Sequence, residues 1–212
     1  MLVKLLKKNY PAIIRNFLRK CYLKRYVTKL KNKSPCIISS NCNGACILHD
    51  LGLRFNSPFV NLWLGPKDFI KMLKSLRHYM ACELKFEEDE RPYPVGMLDD
   101  IKIYFMHYKT REEVASQWRR RVSRMNYENL FVMFSDQNGC TDDDLKEFDN
   151  LPYEHKVVFV HKPCPDVKSA FVIKGFENEQ SVGICSNFRR KFSLAKYYDD
   201  FDYVGWLNSK CD

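Results

Sequence analysis

The pattern of apolar and polar positions changes period along the chain, and each period predicts one kind of element. After the capping signal Thr110-Arg-Glu-Glu113, apolar side chains recur every three or four positions to about residue 126, which predicts a helix. Residues 129–135 are continuously apolar, which predicts a strand covered on both faces. The same criteria predict strands at 35–39, 100–108 and 157–161, a late hairpin with strands at 171–173 and 180–185, and helices at 44–51, 66–80, 141–151 and 193–207.

Strands alternate with helices through residues 34–212, and this order is typical of an α/β domain. We expect a three-layer sandwich with a mostly parallel or mixed central sheet, preceded by a basic N-terminal helical arm. In such sheets the working crevice lies at the carboxyl ends of the strands.

Residues 1–33 form that predicted arm and carry most of the excess positive charge. They contain eleven Lys and Arg and no Asp or Glu, whereas the rest of the chain has 24 basic and 26 acidic residues. Two interpretations stay open: an amphipathic helix lying on an anionic membrane surface, or a helix packed on the body with a solvated basic face. Because the body is nearly neutral, we expect no nucleic-acid partner.

Nine cysteines is an odd number, and residues 1–33 lack the continuous apolar core of a secretory signal. We therefore expect reduced thiols and a cytoplasmic protein, in peripheral contact with the inner face of the membrane if the arm binds lipid. No second pair at the spacing of a zinc ribbon or zinc finger accompanies Cys42 and Cys46, so we expect no metal site. The common ATP, dinucleotide and serine-hydrolase motifs are absent, and we expect no cofactor.

Three residues follow predicted strands and offer nucleophilic chemistry. Cys42 lies after the first strand and before a helix, where the helix dipole lowers a thiol pKa. His107 closes the 100–108 strand as the predicted base, and Asp136 follows the 129–135 strand as the group that orients it. Asn41 and Asn43 are the candidate oxyanion donors. The plainer interpretation is a buried thiol, a rim histidine and a turn-forming aspartate.

Arg120 and Arg124 are one helical turn apart, and guanidinium groups bind phosphate or carboxylate with two parallel hydrogen bonds. They are candidate substrate-binding residues for a nucleotide-linked or acidic sugar, unless they only form a solvated helix face. Acidic pairs at 99–100, 142–144 and 199–200 could hold a divalent metal in that case, although acidic helix starts explain 142–144 equally well.

Several motifs together resemble an uncharacterised bacterial family of exopolysaccharide biosynthesis proteins, built on a domain of unknown function. They are Ile-Ile-Ser-Ser-Asn-Cys-Asn-Gly-Ala (37–45), Leu-Gly-Leu-Arg-Phe-Asn-Ser-Pro (51–58), Tyr-Pro-Val-Gly-Met-Leu-Asp-Asp-Ile (93–101), His-Tyr-Lys-Thr-Arg-Glu-Glu (107–113), Trp-Arg-Arg-Arg (118–121), Asn-Leu-Phe-Val-Met-Phe-Ser-Asp (129–136) and Gly-Cys-Thr (139–141). The resemblance covers about residues 35–207 and implies a role near surface-polysaccharide assembly, with a saccharide or nucleotide-sugar substrate. It implies no established reaction.

A more distant resemblance is to papain-like cysteine peptidases, and it carries over Cys42 as nucleophile and His107 as base. Three hypotheses follow, and the sequence leaves open whether the protein is an enzyme. The first is a thiol-dependent hydrolase or acyltransferase using Cys42 and His107. The second is a glycosyltransferase-like protein that binds a nucleotide sugar. The third is a non-catalytic, membrane-associated scaffold.

Overall fold

A computed structural model of the chain describes the backbone of residues 2–211 and the side chains of residues 14–211. The helices are α1 (Leu2–Lys29), α2 (Asn43–Asp50), α3 (Pro66–Lys74), α4 (Leu76–Ala81), α5 (Arg111–Val122), α6 (Asp142–Asp149) and α7 (Tyr203–Asn208). The strands are β1 (Cys36–Ser39), β2 (Leu84–Glu87), β3 (Val95–Leu98), β4 (Ile101–Tyr104), β5 (Leu130–Ser135), β6 (Lys156–Val160) and β7 (Ala170–Val172). Short 3-10 turns lie at Tyr127–Asn129 and Tyr197–Asp200.

The central sheet has the order β1-β5-β6-β7, and its three strand pairs are all parallel. A second sheet, β2-β3-β4, is antiparallel. The protein is therefore an α/β structure with a parallel four-stranded sheet, a smaller antiparallel sheet and helices on both sides, as the sequence predicts.

Two hydrophobic cores lie on opposite faces of the central sheet, because successive side chains of a strand point to opposite sides. Ile38, Val132 and Phe134 belong to the core beneath α3, α4, α5 and α6, which also receives the antiparallel sheet. Phe131 and Met133 belong to the core beneath α2 and α7. This two-sided burial explains why residues 129–135 are continuously apolar.

The later elements differ from their predictions. The predicted strand 100–108 is shorter, ends at Tyr104 and pairs with β3 in the antiparallel sheet, so its assignment to the central sheet is wrong. The predicted hairpin after residue 170 is also wrong, because β7 pairs parallel with β6 and residues 180–185 form no strand. The predicted helix 193–207 is replaced by a 3-10 turn and α7.

Helix α1 packs on the body along one face. Arg19, Leu23 and Leu30 are buried, and the Tyr26 ring stacks on Tyr203 of α7 at 5.6 Å. Arg19 donates hydrogen bonds to the carboxylates of Asp50 and Asp199, which ties the helix to two other segments. Residues 19–30 therefore pack on the body, which is the second of the two interpretations of the arm. The side chains of residues 1–13 lie outside the described part. Among the helices described, none has the length and apolarity needed to cross a bilayer.

Candidate functional site

Helix α2 begins directly after Cys42 at the carboxyl end of β1, as the sequence predicts. The helix approaches its strand closely, since a Cβ atom on Gly44 would lie 2.7 Å from Ile37 Cγ2. The Asn43 backbone N–H donates to Asn41 Oδ1 at 3.0 Å, so the side chain of Asn41 takes the capping role at the start of the helix. Cys42 makes no side-chain capping bond.

The thiol of Cys42 is mostly buried against the 61–62 backbone. Its Sγ lies 3.8 Å from the Leu62 carbonyl oxygen. Burial raises the pKa of Cys42 to about 11, and the nearby Cys46 thiol adds to the rise. The lowered pKa expected from the helix dipole is therefore wrong, because loss of water around the sulfur outweighs the helix end. Burial therefore favours the protonated thiol of Cys42 over the thiolate.

His107 lies apart from this thiol in its interactions. It is exposed in the turn that follows β4, and β4 belongs to the antiparallel sheet. Among residues 14–211, His107 has no hydrogen bond or ion pair with Cys42 or Asp136. The shared sheet edge that the sequence predicts for the three residues holds for Cys42 and Asp136 only, since β1 and β5 are parallel neighbours.

Asp136 is held by a different histidine. Its Oδ2 accepts hydrogen bonds from the His161 backbone N–H at 2.8 Å and from His161 Nδ1 at 2.5 Å. Its Oδ1 accepts from the Val182 backbone N–H at 2.7 Å. Because the carboxylate fixes Nδ1 as the protonated nitrogen, Nε2 of His161 is left with its lone pair free to accept a proton.

Sequence reasoning missed His161, although the signal was present. The sequence predicts a strand at 157–161, which His161 ends. Because β5 and β6 are parallel neighbours, the residues that follow them, Asp136 and His161, lie at the same edge of the sheet. His161 and Asp136 border a cavity of about 320 Å³, together with Cys140, Lys162 and Glu179. Burial raises the pKa of Cys140 to about 12, so the cavity offers an imidazole and carboxylates rather than a thiolate.

The predicted oxyanion donors are engaged in the scaffold of this edge. Asn41 Nδ2 donates to Ser135 Oγ at 2.8 Å and to Gln137 Oε1 at 2.9 Å. Gln137 in turn donates to the backbone carbonyls of Val182 and Gly183. Asn43 is buried. These amides join β1, β5 and the 182–183 segment, so their hydrogen-bonding capacity is used internally.

Arg120 and Arg124 do come together, and Arg54 and Arg121 join them. We call these four residues the arginine cluster. Arg124 lies just beyond α5 and donates from Nη2 to the Phe55 carbonyl at 2.8 Å. Burial, followed by the charges of the other three, lowers the pKa of Arg124. The charge effects of Arg54, Arg120 and Arg121 on Arg124 place these three side chains near it.

Arg121 is the buried member of the arginine cluster, with 8% of its surface exposed. Its Nη1 donates to Tyr108 Oη at 2.5 Å, and its guanidinium lies 5.6 Å from the Phe55 ring centre. Burial raises the pKa of Tyr108, and the charge and hydrogen bond of Arg121 partly offset the rise. Tyr108 Oη also donates to the Val60 carbonyl at 3.2 Å, so the cluster adjoins the 55–60 segment.

The arginine cluster has no acidic partner in the described part of the chain. None of its members forms an ion pair with a carboxylate between residues 14 and 211, and Arg120 bonds only Gln117. Arg121 Nε and Arg124 Nε are buried without hydrogen-bond partners among those residues. A buried guanidinium is costly unless an anion or strong acceptors satisfy it. Arg121 is buried and Arg124 is partly buried, whereas Arg54 and Arg120 are exposed, so the cluster presents unpaired positive charge at the surface of the described part of the chain.

The acidic pairs proposed as metal ligands have structural partners. Asp144 closes a capping box with Thr141 at the start of α6. Asp100 accepts from Tyr79 and forms an ion pair with Lys71. Asp199 binds Arg19. Asp99, the other member of the 99–100 pair, lies with its carboxylate close to His78 and Cys82, and the ligand atoms of these three residues are all within 4.8 Å of one another.

Fold and site together define a three-layer α/β protein with an arginine cluster that has no carboxylate partner among the described residues, and with a carboxylate–imidazole pair at the carboxyl edge of its parallel sheet. The chain belongs to the family described as "Domain of unknown function (DUF1919)", whose model matches residues 13–208. A protein from Haemophilus influenzae (strain ATCC 51907 / DSM 11121 / KW20 / Rd), named "Uncharacterized protein", is 49% identical over 180 residues, which cover 85% of this chain and 87% of that relative. The family match begins well before residue 35, so it includes the part of α1 that packs on the body.

Proposed function

We propose that this protein binds a phosphate- or carboxylate-bearing saccharide at the arginine cluster, as a nucleotide-sugar-dependent transferase of surface-polysaccharide biosynthesis. The observation that carries the proposal is the convergence of four guanidinium groups without a carboxylate partner. The resemblance to exopolysaccharide biosynthesis proteins supports a saccharide as the rest of the ligand.

The geometry of the cluster suits an anion with several oxygen atoms. Arg121 is fixed by Tyr108 and Phe55, and Arg124 is fixed by the Phe55 carbonyl, so little side-chain entropy is lost on binding. Arg120 is exposed and free to move onto a bound ligand. A diphosphate offers enough oxygens for forked hydrogen bonds from three guanidinium groups. An isolated carboxylate offers only two oxygen atoms.

Calorimetric titration tests this proposal with four probes: uridine diphosphate glucose, guanosine diphosphate mannose, inorganic pyrophosphate and glucuronate. We expect a nucleotide sugar to bind more tightly than pyrophosphate and glucuronate. Arg124→Gln should weaken binding by about tenfold or more, because a hydrogen bond to a charged group contributes about 1.5–3 kcal/mol. Binding of glucuronate alone would assign the site to an acidic sugar.

Arg119→Gln is the matched control, since Arg119 is exposed on the same helix and makes no contact with the cluster in the described contacts. Arg120→Gln should weaken binding and Arg119→Gln should not. The proposal is contradicted if none of the four probes binds, or if Arg119→Gln and Arg124→Gln lower affinity equally.

A second candidate function rests on the Asp136–His161 pair. We propose hydrolysis or transfer of an acyl group with His161 as general base, oriented by Asp136 and facing the 320 Å³ cavity. The hypothesis of a Cys42 nucleophile with a His107 base, and with it the papain-like resemblance, has less support, because His107 makes no contact with Cys42 among the described residues and burial raises the pKa of the thiol. The substrate hydroxyl or water would lose its proton to Nε2 of His161.

Hydrolysis of p-nitrophenyl acetate separates these catalytic alternatives. We expect His161→Gln and Asp136→Asn to lower the rate by at least about a hundredfold, in the range of general-base catalysis. Cys42→Ser and His107→Gln should retain it. Loss of the rate in Cys42→Ser and His107→Gln, with the rate retained in His161→Gln and Asp136→Asn, would favour the thiol mechanism. A wild-type rate equal to that of buffer would favour the non-catalytic scaffold.

We also propose that the protein lies peripherally on the inner, anionic face of a membrane. Helix α1 exposes Phe17, with 66% of its surface accessible, beside Ile14 and Leu18. Phe192 is 90% exposed at the end of the basic segment 188–192, and the Arg15 guanidinium over the Phe188 ring connects that segment to α1. Apolar side chains among basic ones are typical of interfacial binding.

Vesicle sedimentation tests the membrane proposal. Binding should require anionic lipid, weaken with salt, and fall in the double variant Phe17→Ser/Phe192→Ser. Ile184→Ser is the control, because Ile184 is a comparably exposed apolar residue outside both segments. Equal binding to neutral and anionic vesicles would contradict an electrostatic surface.

A further inference from the structure

Three side chains with metal-ligating atoms meet where α4 approaches the β3–β4 hairpin. His78 lies in α4, and Cys82 follows four residues later on the same helical face. Asp99 lies in the turn between β3 and β4. His78 Nε2 is 3.0 Å from Asp99 Oδ2 and 3.7 Å from Cys82 Sγ. All three ligand atoms lie within 4.8 Å of one another.

These separations match the edges of a zinc tetrahedron. With metal–nitrogen and metal–oxygen bonds of about 2.1 Å and a metal–sulfur bond of about 2.3 Å, nitrogen and oxygen ligands are about 3.4 Å apart and nitrogen and sulfur ligands about 3.6 Å. The observed separations differ from these by only a few tenths of an ångström. One ion therefore fits between the three atoms with small side-chain rotations.

The hairpin turn that carries Asp99 is held in place by contacts of its neighbour. Asp100 Oδ1 accepts a hydrogen bond from Tyr79 Oη at 2.9 Å, and Asp100 also forms an ion pair with Lys71 of α3. Asp99 has a φ of 54°, a left-handed conformation that Asp tolerates better than most residues. The turn is thereby docked on α4 through residues other than the three ligands, as a preorganised site requires.

We propose that His78, Cys82 and Asp99 form a binding site for one divalent ion of the zinc class. An imidazole nitrogen, a thiolate sulfur and a carboxylate oxygen are the ligands that Zn²⁺ takes in proteins, and the sulfur disfavours Mg²⁺ and Ca²⁺. Binding releases the thiol proton of Cys82 to solvent as the Zn–S bond forms.

The site is open to solvent, which determines its coordination. The side chains of His78 and Asp99 are 57% and 56% exposed. We expect water to take the fourth position, since the described residues offer three ligand atoms here and the site is exposed. The bound ion crosslinks α4 to the β3–β4 hairpin, a region distinct from the arginine cluster and from the Asp136–His161 pair.

Titration of the reduced full-length protein with Co²⁺ under anaerobic conditions tests the site. We expect a thiolate-to-cobalt charge-transfer band in the near ultraviolet, saturating at one ion per chain and abolished by added Zn²⁺. Cys82→Ser should abolish the band. His78→Ala and Asp99→Asn should each weaken Co²⁺ binding by more than about tenfold, at least the loss caused by perturbing a supporting residue.

Cys140→Ser is the matched control, because Cys140, like Cys82, is a partly buried cysteine close to carboxylates. The band should persist in this variant. The site is refuted if wild-type protein gives no band and retains no Zn²⁺ in equilibrium dialysis, or if the band survives in Cys82→Ser. Circular dichroism confirms the fold of each variant, and the exposed Asp99→Asn change leaves the packed core intact.

Discussion

Arg121 shows how one residue can be more informative than its neighbours in sequence. The run Trp118-Arg-Arg-Arg121 reads as a uniform basic segment, but the structure exposes Arg119 and Arg120 and buries Arg121 beside Tyr108. Of these three arginines, only Arg121 is both shielded from solvent and without a carboxylate partner in the described part of the chain. The sequence predicts Arg120 and Arg124 as anion ligands, but not Arg121, because burial depends on Phe55 and Tyr108 from distant segments.

Cys42 gives a direct prediction at the same scale. Since burial raises its pKa to about 11, only a minute fraction is thiolate near neutral pH, and its sulfur is poorly accessible. Iodoacetamide at about pH 7.5 should therefore alkylate Cys42 more slowly than the exposed Cys21 and Cys211, measured by peptide mass spectrometry. Preferential labelling of Cys42 at or below that pH would contradict this account and favour the thiol mechanism.

Among the elements, helix α1 depends on a buried ionic network. Arg19 donates to Asp50 and Asp199, while Lys196 and Tyr198 also donate to Asp50. Arg19→Ala leaves two buried carboxylates without their main partner, so we expect a loss of about 3–5 kcal/mol in unfolding free energy. Urea denaturation measures the unfolding free energy of each variant. Lys20→Ala, on the exposed face of α1, should change the unfolding free energy by less than about 0.5 kcal/mol. Equal losses in the two variants would contradict a stabilising role of the network.

The same network predicts the response to acid. Burial alone would raise the pKa of Asp50, but the hydrogen bonds from Tyr198 and Arg19 outweigh it and hold the pKa below its usual 3.8. The unfolded chain therefore binds a proton more readily, so the contribution of Asp50 is complete above about pH 5 and is lost as pH falls through the folded pKa. The urea midpoint should fall between about pH 5 and pH 3, and Asp50→Asn should flatten this slope. An equal dependence of the urea midpoint on pH in wild-type protein and Asp50→Asn would contradict this role of Asp50.

How well each element was predicted depends on how local its signals are. The capping bonds of Thr110 and Thr141 form within four residues, and both helices begin where the sequence predicts. The strand that precedes His107 was found but assigned to the wrong sheet, because its partner β3 is determined by pairing that no local pattern reveals. Asp136 was placed correctly at the edge, yet its histidine partner comes from the next strand of the sheet.

In the molecule as a whole, the three regions named under the proposed function occupy different parts of the fold. The arginine cluster lies beside the outer strand β1, through contacts of Arg121 and Arg124 with the 55–60 segment and Tyr108. The Asp136–His161 pair lies after β5 and β6. The exposed apolar residues of α1 and Phe192 form the third region. This separation lets each region be tested by variants that leave the others unchanged.

The anomalous signal of tungstate, a heavy analogue of phosphate, in crystals of the protein tests the central claim most directly. The account predicts a tungsten site within hydrogen-bond distance of the guanidinium groups of Arg121 and Arg124. The pocket lined by Lys174, Arg190 and Lys191 provides an internal comparison, because its positive charge should also attract tungstate if binding were non-specific. Tungstate bound there and absent from the arginine cluster would contradict the account.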